Sequence, residues 1–93
     1  MLEKTVLIVN PLGLHARAAA QLVKLAGGYR SRITIARPDT GVYADAKSIL
    51  SVLTLAASSG TRLILRVDGE DEEAAFGAVC LMFEAGFGEL EKA

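Results

Sequence analysis

Runs with the two-residue alternation of a β-strand and runs with helical spacing follow one another along the whole 93-residue chain. That order restricts the fold more than any other feature. Lys4 to Val9 (KTVLIV) is rich in β-branched residues and stops at Asn10-Pro11, as a strand and its end would. From His15 the period changes. Ala16, Ala19, Ala20, Val23 and Ala26 recur at helical spacing, Arg17, Gln21 and Lys24 mark the wet side, and Gly27-Gly28 ends the segment. Arg32 to Arg37 alternates polar and apolar residues like a half-buried strand. Pro38-Asp39-Thr40-Gly41 has the form of a turn, and Val42 to Ala44 begins a return strand. Arg62 to Val67 alternates again, with Leu63, Leu65 and Val67 on one side, and Asp68-Gly69 turns the chain. The acidic run Glu70 to Glu73 suits a helix N-terminus. Ala75, Phe76, Val79, Met82 and Phe83 supply the apolar stripe of that helix, which Gly86 and Gly88 close.

Ser48 to Ala57 (SILSVLTLAA) is ambiguous, because its β-branched content favours a strand. The spacing of Ile49, Val52, Leu53 and Ala56, a Ser48 cap and the stop at Ser58-Ser59-Gly60 favour a short helix instead. The order is then β-α-β-β-α-β-α. It predicts an α+β open-faced sandwich: a four-stranded, mostly antiparallel sheet with three helices on one face and the other face wet. The length suits one domain over residues 1–93.

Composition removes several function classes. With 52% hydrophobic residues the chain is no disordered segment. No run reaches the roughly 20 apolar residues of a membrane helix, and Met1-Leu2-Glu3-Lys4 lacks a secretory apolar core, so no membrane association is expected. A net charge of −1 offers no field for nucleic acid. One His and one Cys leave too few ligands for a metal cage. Cys80, alone, excludes an internal disulfide, fits a reducing cytoplasm and is expected to pack in the last helix.

Function must then be local, and His15 is where it concentrates. It follows Pro11-Leu12-Gly13-Leu14 at a helix start, where unpaired backbone N–H groups and the positive end of the dipole favour an anion. Ala16 and Ala18 leave those amides open, and the Arg17 guanidinium can fork onto phosphate oxygens. An imidazole that bonds to phosphorus becomes a reactive phosphoryl donor, which suits a relay. The dipole disfavours a cation here, so the neutral imidazole, the form with a free lone pair, is expected. The ring is expected to be exposed to solvent against unpaired amides. Without His15 two positions before it, Arg17 would read as an ordinary solvated helix residue.

Asn10-Pro11-Leu12-Gly13-Leu14-His15-Ala16-Arg17-Ala18-Ala19 and Ala46-Lys47-Ser48-Ile49-Leu50 resemble the two signatures of one family. It is the histidine-containing phosphocarrier proteins of the bacterial sugar phosphotransferase system. The resemblance covers nearly the whole chain. It implies that His15 carries the phosphoryl group on its δ nitrogen and that Arg17 stabilises it, with the amides of Ala16 and Arg17 binding phosphate. It implies a donor, enzyme I, and acceptors, the IIA domains of sugar permeases. The chain would be a monomeric shuttle rather than an enzyme, with no metal or cofactor of its own. Ser48 matches the family's regulatory serine, phosphorylated in many bacteria by an ATP-dependent HPr kinase. As a plain N-cap it would also be well placed to hold a phosphate electrostatically. Ile49, Leu50 and Leu53 could all belong to the core, but their stretch is apolar almost all round. The resemblance puts them with Ala16, Arg17, Ala20 and Lys24 on a partner-binding surface.

Some positions depart from the family pattern. Ala18 stands where proline is common, Ser51 replaces a frequent glycine, and the Pro38-Asp39 turn is longer than in well-known members. The tail Met82 to Glu89 is similar to members of a parallel, nitrogen-related phosphotransfer chain, which opens a second reading: a regulatory carrier without sugar uptake. A nucleic-acid-binding module on a similar sheet is a more distant alternative. It requires stacking aromatics on the open face, where Thr34, Arg62, Ile64 and Arg66 offer none.

Overall fold

A computed structural model describes residues 1–89. Strand β1 covers Leu2–Leu7, helix α1 Ala16–Ala26, β2 Arg32–Arg37, β3 Val42–Asp45, α2 Ile49–Leu53, β4 Arg62–Asp68 and α3 Glu72–Glu84, and a 3-10 turn follows at Gly86–Gly88. The strands form one sheet in the order β1-β4-β2-β3, and every neighbouring pair is antiparallel. This is the expected βαββαβα open-faced sandwich. On β4, Leu63, Leu65 and Val67 are fully buried under the helices while Arg62, Ile64 and Arg66 face outward, as their alternation requires. Tyr43, inside the return strand expected from Val42, is exposed at the edge strand β3 and paired with Ala36.

Two element boundaries and one buried helix face differ from expectation. The first strand runs from Leu2 to Leu7 rather than from Lys4 to Val9, because it pairs with β4 from Leu2 opposite Val67 to Leu7 opposite Arg62, the first residue of β4. On α1 the buried face is Ala18, Ala19, Leu22 and Ala26, whereas Ala16 and Ala20 are exposed. A stripe of alanines directs a helix weakly; Leu22, with far more apolar area, sets the rotation. Helix α2 stops at Leu53 rather than Ala57. The Thr54 hydroxyl donates to the Ser51 carbonyl (2.6 Å), and the Arg37 guanidinium donates to the carbonyls of Leu55 and Ala56 (2.9 Å each). Those carbonyls thus find partners outside a helix, and Leu55 and Ala57 turn into the core. The stripe of α3 is as expected, with Ala75, Val79 and Phe83 buried, Phe76 and Met82 packed beside them, and Cys80 buried too. Burial pushes the Cys80 thiol up.

Candidate functional site

The loop between β1 and α1 is built to hold its own shape. Asn10, wholly buried, donates from Nδ2 to the Gly13 carbonyl (2.8 Å), and the Gly13 amide donates to the Asn10 carbonyl (3.1 Å). Gly13 lies at φ +67°, and a Cβ there would stand 2.5 Å from the Ala57 carbonyl oxygen. Leu14 donates to that same oxygen (2.8 Å). The loop before α1 and the segment after α2 are thereby pressed together, and α1 packs against α2. Ala56 stands at φ +49° in that segment, a left-handed alanine held by the Arg37 guanidinium.

His15 emerges from this loop as the N-cap of α1, with extended backbone (φ −75°, ψ 178°). Its Nδ1 accepts from the Arg17 amide at 3.3 Å. The side chain retains 25% exposure, so the ring is half-buried, less open than expected, and its Nδ1 is engaged by an amide. The cause is a residue that periodicity did not single out. Glu89, just beyond the 3-10 turn, places its carboxylate against His15 Nε2, while its other oxygen accepts from Asn10 Nδ2 (3.1 Å). The His15 hydrogen bond holds the Glu89 carboxyl below the usual carboxylate range against the opposing effect of burial, with help from Asn10 and the nearby Arg17 charge. No local signal joins residues so distant in the chain. Asn10, read as a strand terminator and as the first residue of a family signature but given no contact, supports both the loop and the carboxylate.

With Glu89 on Nε2, the proton belongs on that nitrogen, and the lone pair remains on Nδ1, pointing at the α1 N-terminus. The first-turn amides have no partner within the helix. A tetrahedral anion on Nδ1 would displace the Arg17 amide from the nitrogen and could accept from it instead. Arg17 is exposed beside this position. The arrangement is suited to taking up a phosphoryl group and releasing it.

Ser48 is the N-cap of α2. Its hydroxyl accepts from the Ser51 amide (3.3 Å), as the cap reading required, and it is half-buried. Ser51 has a structural task, since its hydroxyl accepts from the Asp45 amide (2.8 Å) and ties β3 to α2. Of the apolar residues of α2 only Val52 is buried; Ile49 and Leu53 are over a third exposed and Leu50 is 76% exposed, so the core assignment fails for all three. Ala16, Arg17, Ala20 and Lys24 are exposed on α1. Among the described residues no group of three or more His, Cys, Asp and Glu could hold a metal ion, and no helix is long and apolar enough to cross a membrane.

A family model described as "PTS HPr component phosphorylation site" matches residues 2–85. The chain is 44% identical over 91 residues to the phosphocarrier protein HPr of Cupriavidus necator, covering 98% of this chain and 100% of that one. It is 37% identical over 87 residues to the phosphocarrier protein NPr of Escherichia coli, covering 94% and 96%. A crystal structure of HPr-C-His from Thermoanaerobacter tengcongensis superposes with a TM-score of 0.91 at 37% identity, covering 98% of this chain and 100% of that one.

Proposed function

The chain belongs to the HPr family, the phosphocarriers of the phosphotransferase system, and from that premise we propose that His15 Nδ1 is the atom that accepts and returns the phosphoryl group. The observation that carries this reading is the engagement of His15 Nδ1 by the first turn of α1, where the Arg17 amide points at it. As a phosphocarrier the chain is the transiently modified substrate of other proteins, not a catalyst. In the proposed step the Nδ1 lone pair attacks phosphorus, the bond from phosphorus to the donor breaks, and its electron pair returns to the donor. Amides of Ala16 and Arg17 and the Arg17 guanidinium neutralise the transferring group. The rest of the catalytic effect is alignment of the His15 imidazole with the phosphoryl group of the donor. The transfer needs neither metal nor cofactor from this chain.

The donor in this reading is phosphorylated enzyme I and the acceptors are IIA domains, met in the cytoplasm by a monomer. Ala16, Ala20, Lys24, Ile49, Leu50 and Leu53 form the surface on which they dock. The support is a contiguous pair of exposed helix faces, apolar on α2 and carrying Arg17 and Lys24 on α1, beside His15. Ser48 is the proposed regulatory site, modified by an HPr kinase. Its hydroxyl already sits over the start of α2, and two added negative charges there would repel an acidic partner.

The test is to incubate the chain with phosphoenolpyruvate and enzyme I and assay for acid-labile phosphate. His15→Ala should take up none while remaining folded; retained labelling in that variant refutes the assignment. A second reading, a regulatory carrier of a nitrogen-related branch, is favoured by the relative named NPr. Capture of an acceptor unconnected with a sugar permease would decide for it.

A further inference from the structure

The 3-10 turn Gly86–Gly88 buries Phe87 edge-on against Phe83, with ring centroids 5.1 Å apart. Anchored there, the chain delivers Glu89 to the side of His15 opposite the α1 N-terminus. The carboxylate is held at both oxygens, one by His15 Nε2 and one by buried Asn10. Its side chain is only 13% exposed. A carboxylate so enclosed and so oriented is costly unless the ring nitrogen facing it carries a proton. Nδ1 on the far edge already accepts from the Arg17 amide, so one tautomer satisfies both contacts.

We propose that Glu89, steered by Asn10, is a positioning residue for phosphoryl transfer, holding the Nε2 proton of His15 so that Nδ1 is the attacking atom. The inference rests on the reading of His15 as the phosphoryl acceptor. When Nδ1 bonds to phosphorus and the donor leaves with its electron pair, Nε2 keeps its proton and the ring becomes a phosphoimidazolium. The carboxylate on Nε2 offsets that new positive charge and relaxes when the phosphoryl group departs, as the carboxylate partner of a catalytic imidazole does. Being on the other edge of the ring, it need not move for a partner to reach Nδ1. Its repulsion of the phosphoryl dianion is opposed by Arg17 and by the first-turn amides, the charged and dipolar groups facing the ring from α1.

The experiment compares the parent with Glu89→Ala, Glu89→Gln and Glu89→Asp. It measures phosphoryl uptake from phosphorylated enzyme I together with the 15N shifts of the His15 ring. The parent should show a protonated Nε2 and an unprotonated Nδ1. Glu89→Ala and Glu89→Gln should lower kcat about 10–100-fold, the usual loss when the partner of a functional imidazole is removed. KM should stay within about twofold. In Glu89→Ala the ring should also populate the Nδ1–H tautomer, and Glu89→Asp should recover part of kcat. An unchanged kcat, a change confined to KM, or, in Glu89→Ala, a fall in kcat with unaltered ring shifts overturns the proposal. A parent that takes up no phosphoryl group on His15 overturns the reading beneath it instead.

Discussion

Replacing Gly13 by alanine tests how firmly the loop carrying His15 is held. Gly13 sits at φ +67°, and an added Cβ would lie 2.5 Å from the Ala57 carbonyl oxygen and 2.8 Å from the Ser58 Cα. Left-handed backbone costs an L-residue about 1–2 kcal/mol. Both close contacts are with backbone, so no side chain can swing aside and the segment after α2 must shift. Overpacking of that kind costs about 1–3 kcal/mol. The sum, about 2–5 kcal/mol, is a large part of the ~5–15 kcal/mol that keeps a protein folded. Gly60 is the matched control: φ is +90° and nothing lies within 4 Å of its added Cβ, so Gly60→Ala should lose the backbone part alone. In a chain of this length a kcal/mol corresponds to about 4–8 °C in Tm. Calorimetry should therefore place Gly13→Ala roughly 10–40 °C below the parent and Gly60→Ala roughly 4–16 °C below it. Equal losses in the two variants, or a Gly13→Ala loss within about 0.5 kcal/mol, would refute the argument that the two segments are pressed together.

Arg17→Ala should slow phosphoryl transfer at least about tenfold by removing a donor to the migrating group, with Tm unchanged; an unaltered rate makes the guanidinium a bystander. Leu50→Asp, at a 76% exposed position, should leave stability within about 0.5 kcal/mol of the parent. It should weaken binding to a IIA domain by about tenfold or more. Calorimetric titration measures the affinity, and an unchanged value would move the docking surface elsewhere. The Asp71 carboxyl is lowered to about 2, chiefly by the Ser31 hydroxyl and then by the Arg30 amide. A carboxyl depressed in the folded state stabilises above its ordinary titration range, and that contribution is lost as pH falls toward about 2. The parent should thus lose stability between about pH 4 and pH 2 in a way that Asp71→Asn does not. Parallel pH profiles for the two proteins would count against it.

Much of the fold was legible because its cues are local. Leu63, Leu65 and Val67 alternate with Arg62, Ile64 and Arg66 over a half-wet sheet, and that pattern alone identifies β4 and its buried side. Ser48 announces a helix start by its side-chain chemistry and occupies the cap. His15 and Arg17 stand out for the same reason, since a helix start is recognisable without any tertiary contact. The errors fall where two cues of similar strength compete. The alanine spacing placed Ala19 and Ala26 correctly but turned Ala16 and Ala20 inward, because alanines bury too little area to outweigh Leu22, and α2 was read too long because nothing near Thr54 reveals that Arg37 will capture the carbonyls beyond it.

By itself the amino-acid sequence determined the order of strands and helices, the wet and dry sides of the sheet, and the position of an imidazole at the start of α1. Each of these follows from interactions within a few residues. Only the tertiary structure decided that the imidazole is half-buried, that a carboxylate lies on one of its nitrogens and an amide on the other, and that Ile49, Leu50 and Leu53 stay outside. Those outcomes depend on how far-separated segments meet. Asn10 can reach Glu89, and Arg37 can reach Leu55, only after the sheet and its helices have packed, and no periodicity along the chain encodes such a meeting.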